Sequence, residues 1–391
     1  MQFLTAGESH GKALCGIITD YPSGVSIEKE FIDNELLRRQ KGYGRGARMQ
    51  IEKDEIEILS GIRKNFTLGS PISFILNNRD WDNWKDSMAP FDVSEKSDNG
   101  KIIIENPRPG HADLIGAIKY RFKDIRNVIE RSSARETAMR VAVGSFAKQF
   151  LKYLNIEINS FVTGIGKAVL KESNFPKILS KDIFVKAEKS DLRCPDEKIM
   201  QEMKREIDKA YKYKDTLGGS FLICVKNMTY GIGSYVQWDK RLDALLSYYL
   251  MSIPSVKAIE IGNGIKSSTS RGTRFHDEIF YSDYKKYYRL TNNAGGIEGG
   301  MSNGEDIILK LFLKPIPTTM RGLRTVNIND KTDQISIKER SDICAVPAAS
   351  VIGEAMAAIA IMNAVQDKFG RDNIQEIIEN HGNYMKYLKN I

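Results

Sequence analysis

The sequence predicts an α+β fold built as a single large domain. Segments with strand and helix patterns are mixed along the 391 residues without a steady β-α-β alternation, which disfavours a doubly wound parallel sheet. No long Pro/Gly/Ser linker and no repeat of fixed period divides the chain. We therefore expect one domain over 1–391, with a core over 1–365 and a peripheral polar C-terminal tail over 366–391.

Five segments have the alternation or the apolar content of strands. The clearest is 306–314, in which one face is apolar and the other carries lysines. The apolar face consists of Ile307, Leu309, Leu311 and Leu313. The other candidate strands are 58–64, 70–76, 219–227 and 256–262.

Helices are predicted where apolar residues recur every three or four positions. In 196–212 such a stripe follows Pro195, a residue that suits a first helical turn. The most apolar window, 346–365, contains Glu354 near its middle, so we expect a buried helix and no membrane span. The predicted helices are 28–40, 112–122, 134–153, 196–212, 240–252 and 348–366, and polar, mobile connections are expected at 85–100, 171–191 and 266–290.

Charge and cysteine content narrow the possible partners. A net charge of +8 suits a nucleic acid, an anionic surface or a small acidic substrate. The four cysteines are scattered without a C-x-x-C pair, which indicates inert thiols in a reducing cytosol rather than a zinc or dithiol site. The first residues lack the basic stretch and apolar run of a secretion signal, so we expect a cytoplasmic protein.

Familiar nucleotide and metal motifs are missing or lack their context. GYGRGA at 42–47 matches a dinucleotide fingerprint, but a strand-like alternation follows it where a helix is required. The sequence contains no G-x-x-x-x-G-K-[ST], H-E-x-x-H, G-x-S-x-G or EF-hand pattern, and no metal is expected.

The stretch ERSSARETAMR at 130–140 predicts an anion site at a helix start. Ser133 as N-cap and Glu136 three residues later would form a capping box, and the free N–H groups would lie between Arg131 and Arg135. The alternative is an ordinary capped helix with surface ion pairs.

Other glycine-bearing turns share this bias towards cations. They are RRQKGYGRGAR at 38–48, RPGHAD at 108–113, GESHG at 7–11 and RSD at 340–342. Few aromatic residues lie beside these arginines, which favours a small anionic ligand over an extended nucleic-acid surface. The stretch YSDYKKYYR at 281–289 is the exception, and it keeps a basic RNA-binding protein open as an alternative.

Five long motifs, in this order, resemble the chorismate synthase family over about residues 1–365. They are GESHGKALCGIITDYPSG, RPGHADLIGAIKY, ERSSARETAMRVAVGS, AGGIEGGMSNGEDI and RSDICAVPAASVIGEAMAA. Val128-Ile129-Glu130 replaces a glycine-rich lead-in, as in Gram-positive-type bacterial members, and Ile343 follows Asp342 where other members have proline.

The resemblance implies a cytoplasmic homotetramer with a β-α-β sandwich fold. Its reaction would be the last common step of the shikimate pathway of aromatic amino acid biosynthesis. There, 5-enolpyruvylshikimate 3-phosphate loses phosphate by a 1,4-anti elimination to give chorismate, and reduced FMN is required. NADPH or a separate flavin reductase would supply the reducing equivalents. An NAD(P)H-dependent flavin reductase without elimination chemistry is the other alternative.

The resemblance also implies roles for individual residues. His10 would protonate the reduced flavin, His111 the departing phosphate, and Asp342 would assist removal of the substrate hydrogen. Substrate anions would contact Arg39, Arg45, Arg108, Arg135 and Arg340. FMN would contact Arg131, Ser132, Ser133, Pro254, Ser255, Gly299, Lys314, Pro315, Ile316, Pro317, Thr318 and Arg340. Arg39 and Arg45 also lie where some members bind NADPH.

Overall fold

The computed structural model describes residues 1–45, 54–91, 103–171, 179–337 and 342–391. The helices are α1 Lys29–Gln40, α2 Trp81–Trp84, α3 Asp113–Tyr120, α4 Arg126–Ser132, α5 Thr137–Lys152, α6 Lys181–Lys189, α7 Glu197–Lys212, α8 Leu242–Met251, α9 Gly264–Ser267, α10 Gly272–Phe275, α11 Val346–Phe369 and α12 Ile374–Asn390. The strands are β1 Gln2–Ala6, β2 Ala13–Thr19, β3 Glu57–Ile58, β4 Ile62–Arg63, β5 Phe66–Thr67, β6 Ile72–Asn77, β7 Glu157–Ile165, β8 Ala168–Val169, β9 Gly219–Lys226, β10 Val256–Ile261, β11 Ile279–Ser282, β12 Lys286–Arg289, β13 Ile297–Glu298, β14 Met301–Ser302, β15 Ile307–Leu313, β16 Arg324–Val326 and β17 Asp333–Ile335.

Two antiparallel sheets enclose a layer of helices. The first sheet has the order β1-β2-β6-β3 and the second β10-β15-β9-β7-β8. Helix α5 packs on β2 of the first sheet, α11 packs on β7 and β9 of the second, and α5 and α11 pack on each other. The α+β class and the β-α-β sandwich that the sequence predicted are therefore confirmed.

Aromatic side chains join the first sheet to the helical layer. Phe74 of β6 and Phe146 of α5 have ring centroids 5.5 Å apart, and both side chains are fully buried. Gly16 of β2 lies opposite Phe74, where an added Cβ would be 2.6 Å from the ring. The first sheet therefore approaches α5 closely at this point because glycine leaves room for the ring.

Close contact between backbones also sets the distance between the two central helices. At Gly144 of α5 an added Cβ would lie 2.3 Å from the Cβ of Ala355 on α11. On its other side α11 presents Gly353 to Phe221 of β9, with a ring carbon 2.7 Å from the position of a Cβ. Helix α11 is thus packed on two faces, and 94% of its most apolar window is buried. Its length and composition would allow it to cross a membrane, but in this protein it is the core helix.

A buried ion network lies inside this helical layer. Glu354 of α11 is fully buried and accepts hydrogen bonds from Arg38 of α1 at 2.8 Å, Lys148 of α5 at 2.6 Å and Arg193 at 2.9 Å. Burial by itself raises the pKa of a carboxyl group, but these three cations hold the pKa of Glu354 well below its usual value. The carboxylate therefore connects three segments that are distant in the sequence.

The structure confirms most of the predicted elements. It also shows one predicted strand that is wrong and several elements that were not predicted. In β15 the buried positions alternate as expected. The predicted strand 58–64 is wrong, because Gly61 has a φ of +84° and turns the chain between β3 and β4. The predicted mobile connection 171–191 contains α6, and 266–290 contains α9, α10 and the β11–β12 hairpin. Strands β1, β2 and β7 and helix α12 were not predicted.

We expect Gly144→Ala to lower the free energy of unfolding by about 1–3 kcal/mol, because the added methyl group overpacks the α5–α11 contact. The matched control is Gly382→Ala on α12, where no atom of the described residues, apart from its chain neighbours and its own helix backbone, lies within 4 Å of the added Cβ. That change should leave stability unchanged or raise it by up to about 1 kcal/mol through helix propensity. Urea unfolding of both variants measures the difference, and equal midpoints would contradict the proposed packing.

Candidate functional site

Two buried arginines share one carboxylate at the start of α5. Arg135 donates to Asp54 Oδ1 at 2.6 Å, and Arg39 Nη1 lies 3.5 Å from Asp54 Oδ2. Arg39 also donates from Nε to Thr137 Oγ1 and from Nη2 to the Ala134 carbonyl, each at 3.1 Å. All three charged side chains are at most 5% exposed. The positive charge of the pair therefore exceeds the negative charge of its shared partner.

The electrostatic consequence appears at Arg39. Burial lowers the pKa of its guanidinium to about 10, against the attraction of Asp54, and the positive charges of Arg135 and Arg45 lower it further. Within the described residues, Nη1 of Arg39 is buried and makes no hydrogen bond, and the Asp54 Oδ2 that lies 3.5 Å from it makes none either. Such a group favours the approach of an anion that can accept from it.

Asn78 connects this pair to the turn that carries His10. Its Oδ1 accepts from Arg135 Nε at 3.2 Å and Nη2 at 3.1 Å, and its Nδ2 donates to the Gly11 carbonyl at 2.7 Å. The turn joins β1 to β2, and Gly7 opens it with a φ of +106°. A Cβ at Gly7 would lie 2.5 Å from the Ala13 carbonyl oxygen, so only glycine fits.

His10 is held by a buried carboxylate and an aromatic ring. Both carboxylate oxygens of Glu130 lie 3.0 Å from His10 Nδ1, and the imidazole stacks on Trp84 at a centroid distance of 4.0 Å. Burial alone would raise the pKa of Glu130, but the hydrogen bonds and charge of His10 and the charge of Arg126 hold it below its usual value.

The predicted helix start at 130–140 is only partly right. Ser133 is an N-cap, and its hydroxyl accepts from the Arg135 N–H at 3.3 Å. It caps a short 3₁₀ turn that follows α4, so the chain is already helical before it. Glu136 does not close a capping box in this structure: its carboxylate accepts from Thr5 at 2.8 Å and from Arg140 at 2.9 Å. The Glu136 side chain therefore binds strand β1 and helix α5.

Arg131 and Ser132 are the last two residues of α4, directly before the N-cap of the 3₁₀ turn. Arg131 Nη2 donates to the Thr5 carbonyl at 2.8 Å, which fastens α4 to the end of β1. The Ser132 hydroxyl donates to the Val128 carbonyl one turn earlier, at 2.7 Å.

His111 belongs to a second buried group of charges. Its Nδ1 lies 2.5 Å from Asp113 Oδ1, and Arg108 Nε donates to Asp113 Oδ2 at 2.8 Å. Asp113 is fully buried at the start of α3. Burial alone would raise the pKa of its carboxyl group, but the hydrogen bonds from His111 and Arg108 hold that pKa well below its usual range.

The segment 314–318 comes directly to this histidine turn. Arg108 Nη1 donates to Thr318 Oγ1 at 2.8 Å, and Lys314 Nζ donates to the Gly110 carbonyl. The backbone N–H of Lys314 donates to the Ser255 carbonyl at 3.0 Å, and Thr216 Oγ1 donates to the Ile316 carbonyl at 2.7 Å. Lys314, Pro317 and Thr318 of the expected cofactor set therefore meet the Arg108–His111 turn. Ser255 is bonded to Lys314 and Ile316 to Thr216, and Pro254 and Pro315 are their neighbours in the sequence.

Asp342 forms an ion pair with Arg45. Asp342 Oδ2 lies 2.9 Å from Arg45 Nη1, and the Ile343 N–H donates to the Gly44 carbonyl at 3.1 Å. The Ile343 carbonyl in turn accepts from Leu217, the residue after Thr216. Arg340, expected to contact both substrate and FMN, lies outside the described residues, as does part of the 38–48 stretch.

These contacts link the three expected catalytic turns. Asn78 and Arg135 connect the His10 turn to Arg39 and Asp54, and Arg45 lies close enough to Arg39 to affect its pKa. The His111 turn is connected to the His10 turn through the packing of α3 on α4. A Cβ at Gly116 of α3 would lie 2.5 Å from Val128 of α4. The helix that begins at the His111 turn thus packs on the helix that holds His10.

Gly299 is placed elsewhere. It lies in the β13–β14 turn, whose preceding Gly296 contacts Asp306 at the start of β15. Lys314 follows the other end of that strand, roughly 20 Å away at the usual rise per residue. Within one chain, Gly299 and the 314–318 segment are not brought together. Cavities of about 390 and 220 Å³ lie away from the histidine turns, the first lined by Asp20 and Arg371 and the second by His276.

The supporting residues were the ones that sequence reasoning missed. Asp113 and Glu130 lie inside the quoted motifs, so proximity to a histidine or arginine was an available signal. Asp54, Asn78 and Trp84 carried no such signal, because their partners are far away in the sequence.

The fold and these side chains define an enzyme that acts on a small molecule. A family model described as chorismate synthase matches residues 1–366. The chain belongs to the chorismate synthase family, and it carries the family's function, a lyase reaction of aromatic biosynthesis that yields chorismate.

Known relatives agree over the whole length. A chorismate synthase of Alkaliphilus metalliredigens (strain QYMF) is 52% identical over 378 residues, covering 96% of this chain and 97% of the relative. One of Sulfurihydrogenibium sp. (strain YO3AOP1) is 49% identical over 392 residues, covering 100% of both. A crystal structure of chorismate synthase has a TM-score of 0.80 and 38% identity, covering 100% of this chain and 98% of the other.

We expect Asp113→Asn to lower the free energy of unfolding by about 3–5 kcal/mol at pH 7, because Arg108 and His111 lose their buried partner. The folded pKa of Asp113 lies below its ordinary value of 3.8. Its charge therefore stabilises the fold above about pH 4, and this contribution is lost as the pH falls through the folded pKa.

The stability of Asp113→Asn and of the parent chain should therefore converge as the pH is lowered below about 4, which denaturant unfolding at several pH values measures. Asp283→Asn, at an exposed site in the β11–β12 turn, is the control and should change stability by less than about 0.5 kcal/mol. A stability gap that stays constant from pH 7 to pH 3 would disprove the role given to the charge.

Proposed function

We propose that the turns carrying His10, His111 and Asp342 face one cleft. In it the chain binds 5-enolpyruvylshikimate 3-phosphate beside reduced FMN and eliminates phosphate in the 1,4-anti sense to give chorismate. The observation that carries this proposal is the Arg39–Arg135 pair on a single carboxylate, Asp54. A buried surplus of guanidinium charge suits a substrate with a phosphate and two carboxylates.

The residues present fit a phosphorylated flavin. Lys314 and Arg131 supply cationic donors, Ser132, Ser133 and Thr318 supply hydroxyl groups, and the prolines at 315 and 317 limit the freedom of the turn after β15. Contacts to Ser255, Thr216 and Arg108 fix that turn at three points. We propose these residues, with Pro254, Ile316 and Arg340, as the FMN site; Gly299, which lies apart from them within one chain, would join this site from a second copy of the chain. Reduced FMN, when bound, supplies transient electron donation that assists loss of phosphate without net redox change.

The arginines are proposed to bind the substrate anions. Arg39, Arg45, Arg108, Arg135 and Arg340 form this set, and the four that are described each have a carboxylate within 3.5 Å. Such a partner holds the planar guanidinium in a fixed orientation before the ligand arrives, which reduces the entropy lost on binding.

The two histidines are proposed as proton donors, because each ring has a buried carboxylate at Nδ1 that holds it in a fixed orientation. His111 would protonate the phosphate as it leaves, and His10 would hold a proton towards the reduced flavin. Asp342, paired with Arg45, would assist removal of the ring hydrogen.

Assembly and location are also proposals. Large apolar side chains are strongly exposed in the single chain, among them Tyr235 at 73%, Val236 at 75% and Trp238 at 75%. Such surface supports a homotetramer that covers it. All four cysteines are free thiols, which suits the reducing cytoplasm. We propose no nucleic-acid or membrane partner. NADPH at Arg39 and Arg45, or a separate flavin reductase, would supply reducing equivalents.

Purified protein should convert 5-enolpyruvylshikimate 3-phosphate to chorismate and phosphate under anaerobic conditions when reduced FMN is added, because elimination needs the reduced flavin. Phosphate release and chorismate absorbance measure the reaction. Oxidised FMN alone should give no product. A second arm adds NADPH to oxidised FMN: product in this arm would assign a built-in reductase, and no product would assign an external one. Failure of the first arm would refute the proposed function.

Substitution of either histidine should slow elimination by about 10²–10⁴-fold, the usual loss when a positioned acid is removed. The variants are His10→Ala and His111→Ala, and His276→Ala is the control because His276 is exposed in a polar loop. Turnover with saturating reduced FMN is the measurement. A normal rate for His111→Ala would remove that residue from the mechanism, and a loss in the control would show that the assay reports folding.

A further inference from the structure

Glu130 binds the His10 turn at three points. Its carbonyl accepts from the Ser9 N–H at 3.0 Å, its Oε2 accepts from the His10 N–H at 2.8 Å, and its carboxylate lies 3.0 Å from His10 Nδ1. The Glu130 side chain is 1% exposed and the His10 side chain 20% exposed. The carboxylate is therefore inside the protein while the ring reaches the surface of the site.

Two further groups keep the imidazole in its plane. Trp84 stacks on the ring with an interplanar angle of 26°. The indole is itself fixed, because its Nε1 donates to Asp80 at 2.9 Å and the guanidinium of Arg126 lies 5.2 Å from its centroid. Arg126 also reaches Glu130 at 3.5 Å. The imidazole is thus held by a hydrogen bond at one edge and a ring on one face.

We propose that Glu130 is the positioning residue for His10, fixing the ring with Nδ1–H bound to the carboxylate so that Nε2 is the nitrogen that exchanges protons. This inference rests on the proposed role of His10 as a proton donor. A carboxylate accepts only, so Nδ1 must carry the proton in both charge states of the ring. The lone pair of the neutral ring then resides on Nε2, and so does the second proton of the charged ring.

Glu130 is a charged group in direct contact with the ring. Charged groups near the His10 turn also include Arg126 of α4. Glu8 lies beside Gly11 in the same turn, and Asp80 accepts from the indole. The Glu130 carboxylate lies 3.0 Å from Nδ1 of the ring, and the positive charge of Arg126 lies 3.5 Å from the same carboxylate. Glu130→Gln keeps the shape of the side chain but removes its negative charge and lets the amide offer a donor to Nδ1.

Trp84 provides a direct measurement that needs neither flavin nor substrate. A protonated imidazole in contact with an indole quenches its fluorescence, so Trp84 emission reports the charge of His10. The parent for this experiment carries Trp81→Phe and Trp238→Phe, which leaves Trp84 as the one tryptophan of the chain. Emission is recorded between about pH 4 and pH 9, the range in which histidine charges change.

In Glu130→Gln the midpoint of this fluorescence change should move to lower pH, because a carboxylate at hydrogen-bond distance from the ring is lost. The control is Glu136→Gln, which removes a carboxylate bound to Thr5 and Arg140 rather than to the histidine. It should keep the parent midpoint. Glu130→Asp retains the charge one methylene further from the ring, and its midpoint should lie between those of the parent and Glu130→Gln. This variant also provides the test if Glu130→Gln folds poorly.

Turnover gives the second readout. Glu130→Gln should slow elimination on the order of tenfold to a hundredfold, as when a group that orients an essential histidine is removed, and Glu130→Asp should restore part of the rate. An unchanged midpoint in Glu130→Gln, or an equal shift in Glu136→Gln, would overturn the proposal. If His10→Ala retains full activity, the proposed role of His10 fails, whereas the fluorescence result still decides whether Glu130 controls the ring.

Discussion

A single buried carboxylate, Glu354, organises the interior. It lies in the middle of an otherwise apolar helix, where an unpaired charge would be strongly unfavourable, and it is therefore held by Arg38, Lys148 and Arg193. Arg38 precedes Arg39 on α1, and successive helical residues point about 100° apart. When Arg38 points to Glu354, Arg39 therefore points to a different side of α1, where it meets Asp54.

The same principle recurs among the arginines proposed to bind substrate, where each of the four that are described has a carboxylate partner. Carboxylates reduce the net positive charge and so weaken the long-range attraction of an anion. They also reduce the repulsion between neighbouring guanidinium groups, and they hold each guanidinium in a fixed orientation. The arrangement therefore favours a ligand that matches several fixed donors at once over a flexible polyanion that needs only charge.

The local pattern of apolar and polar residues was sufficient to predict an element wherever one face of that element is buried and the other is not. The alternation in β15 and the stripe of α7 are of this kind, and both elements were predicted close to their bounds. It failed for β7, which is buried on most positions and so lacks an alternating signal. It also failed for α6 and the β11–β12 hairpin, whose polar composition resembles that of loops. Amino-acid composition does not show which segments these two elements pack on or pair with.

The sequence by itself determined the chemistry on offer: the histidines in glycine turns, the arginine-bearing motifs and, through their order, the family. Only the tertiary structure decided which groups meet. Asp54 reaches Arg135 across 81 residues and Asn78 reaches it across 57, and no local periodicity encodes such pairs. The physical reason is that a buried charge must find its partner in space, and the chain path that brings the two together is fixed by the packing of two sheets around α5 and α11.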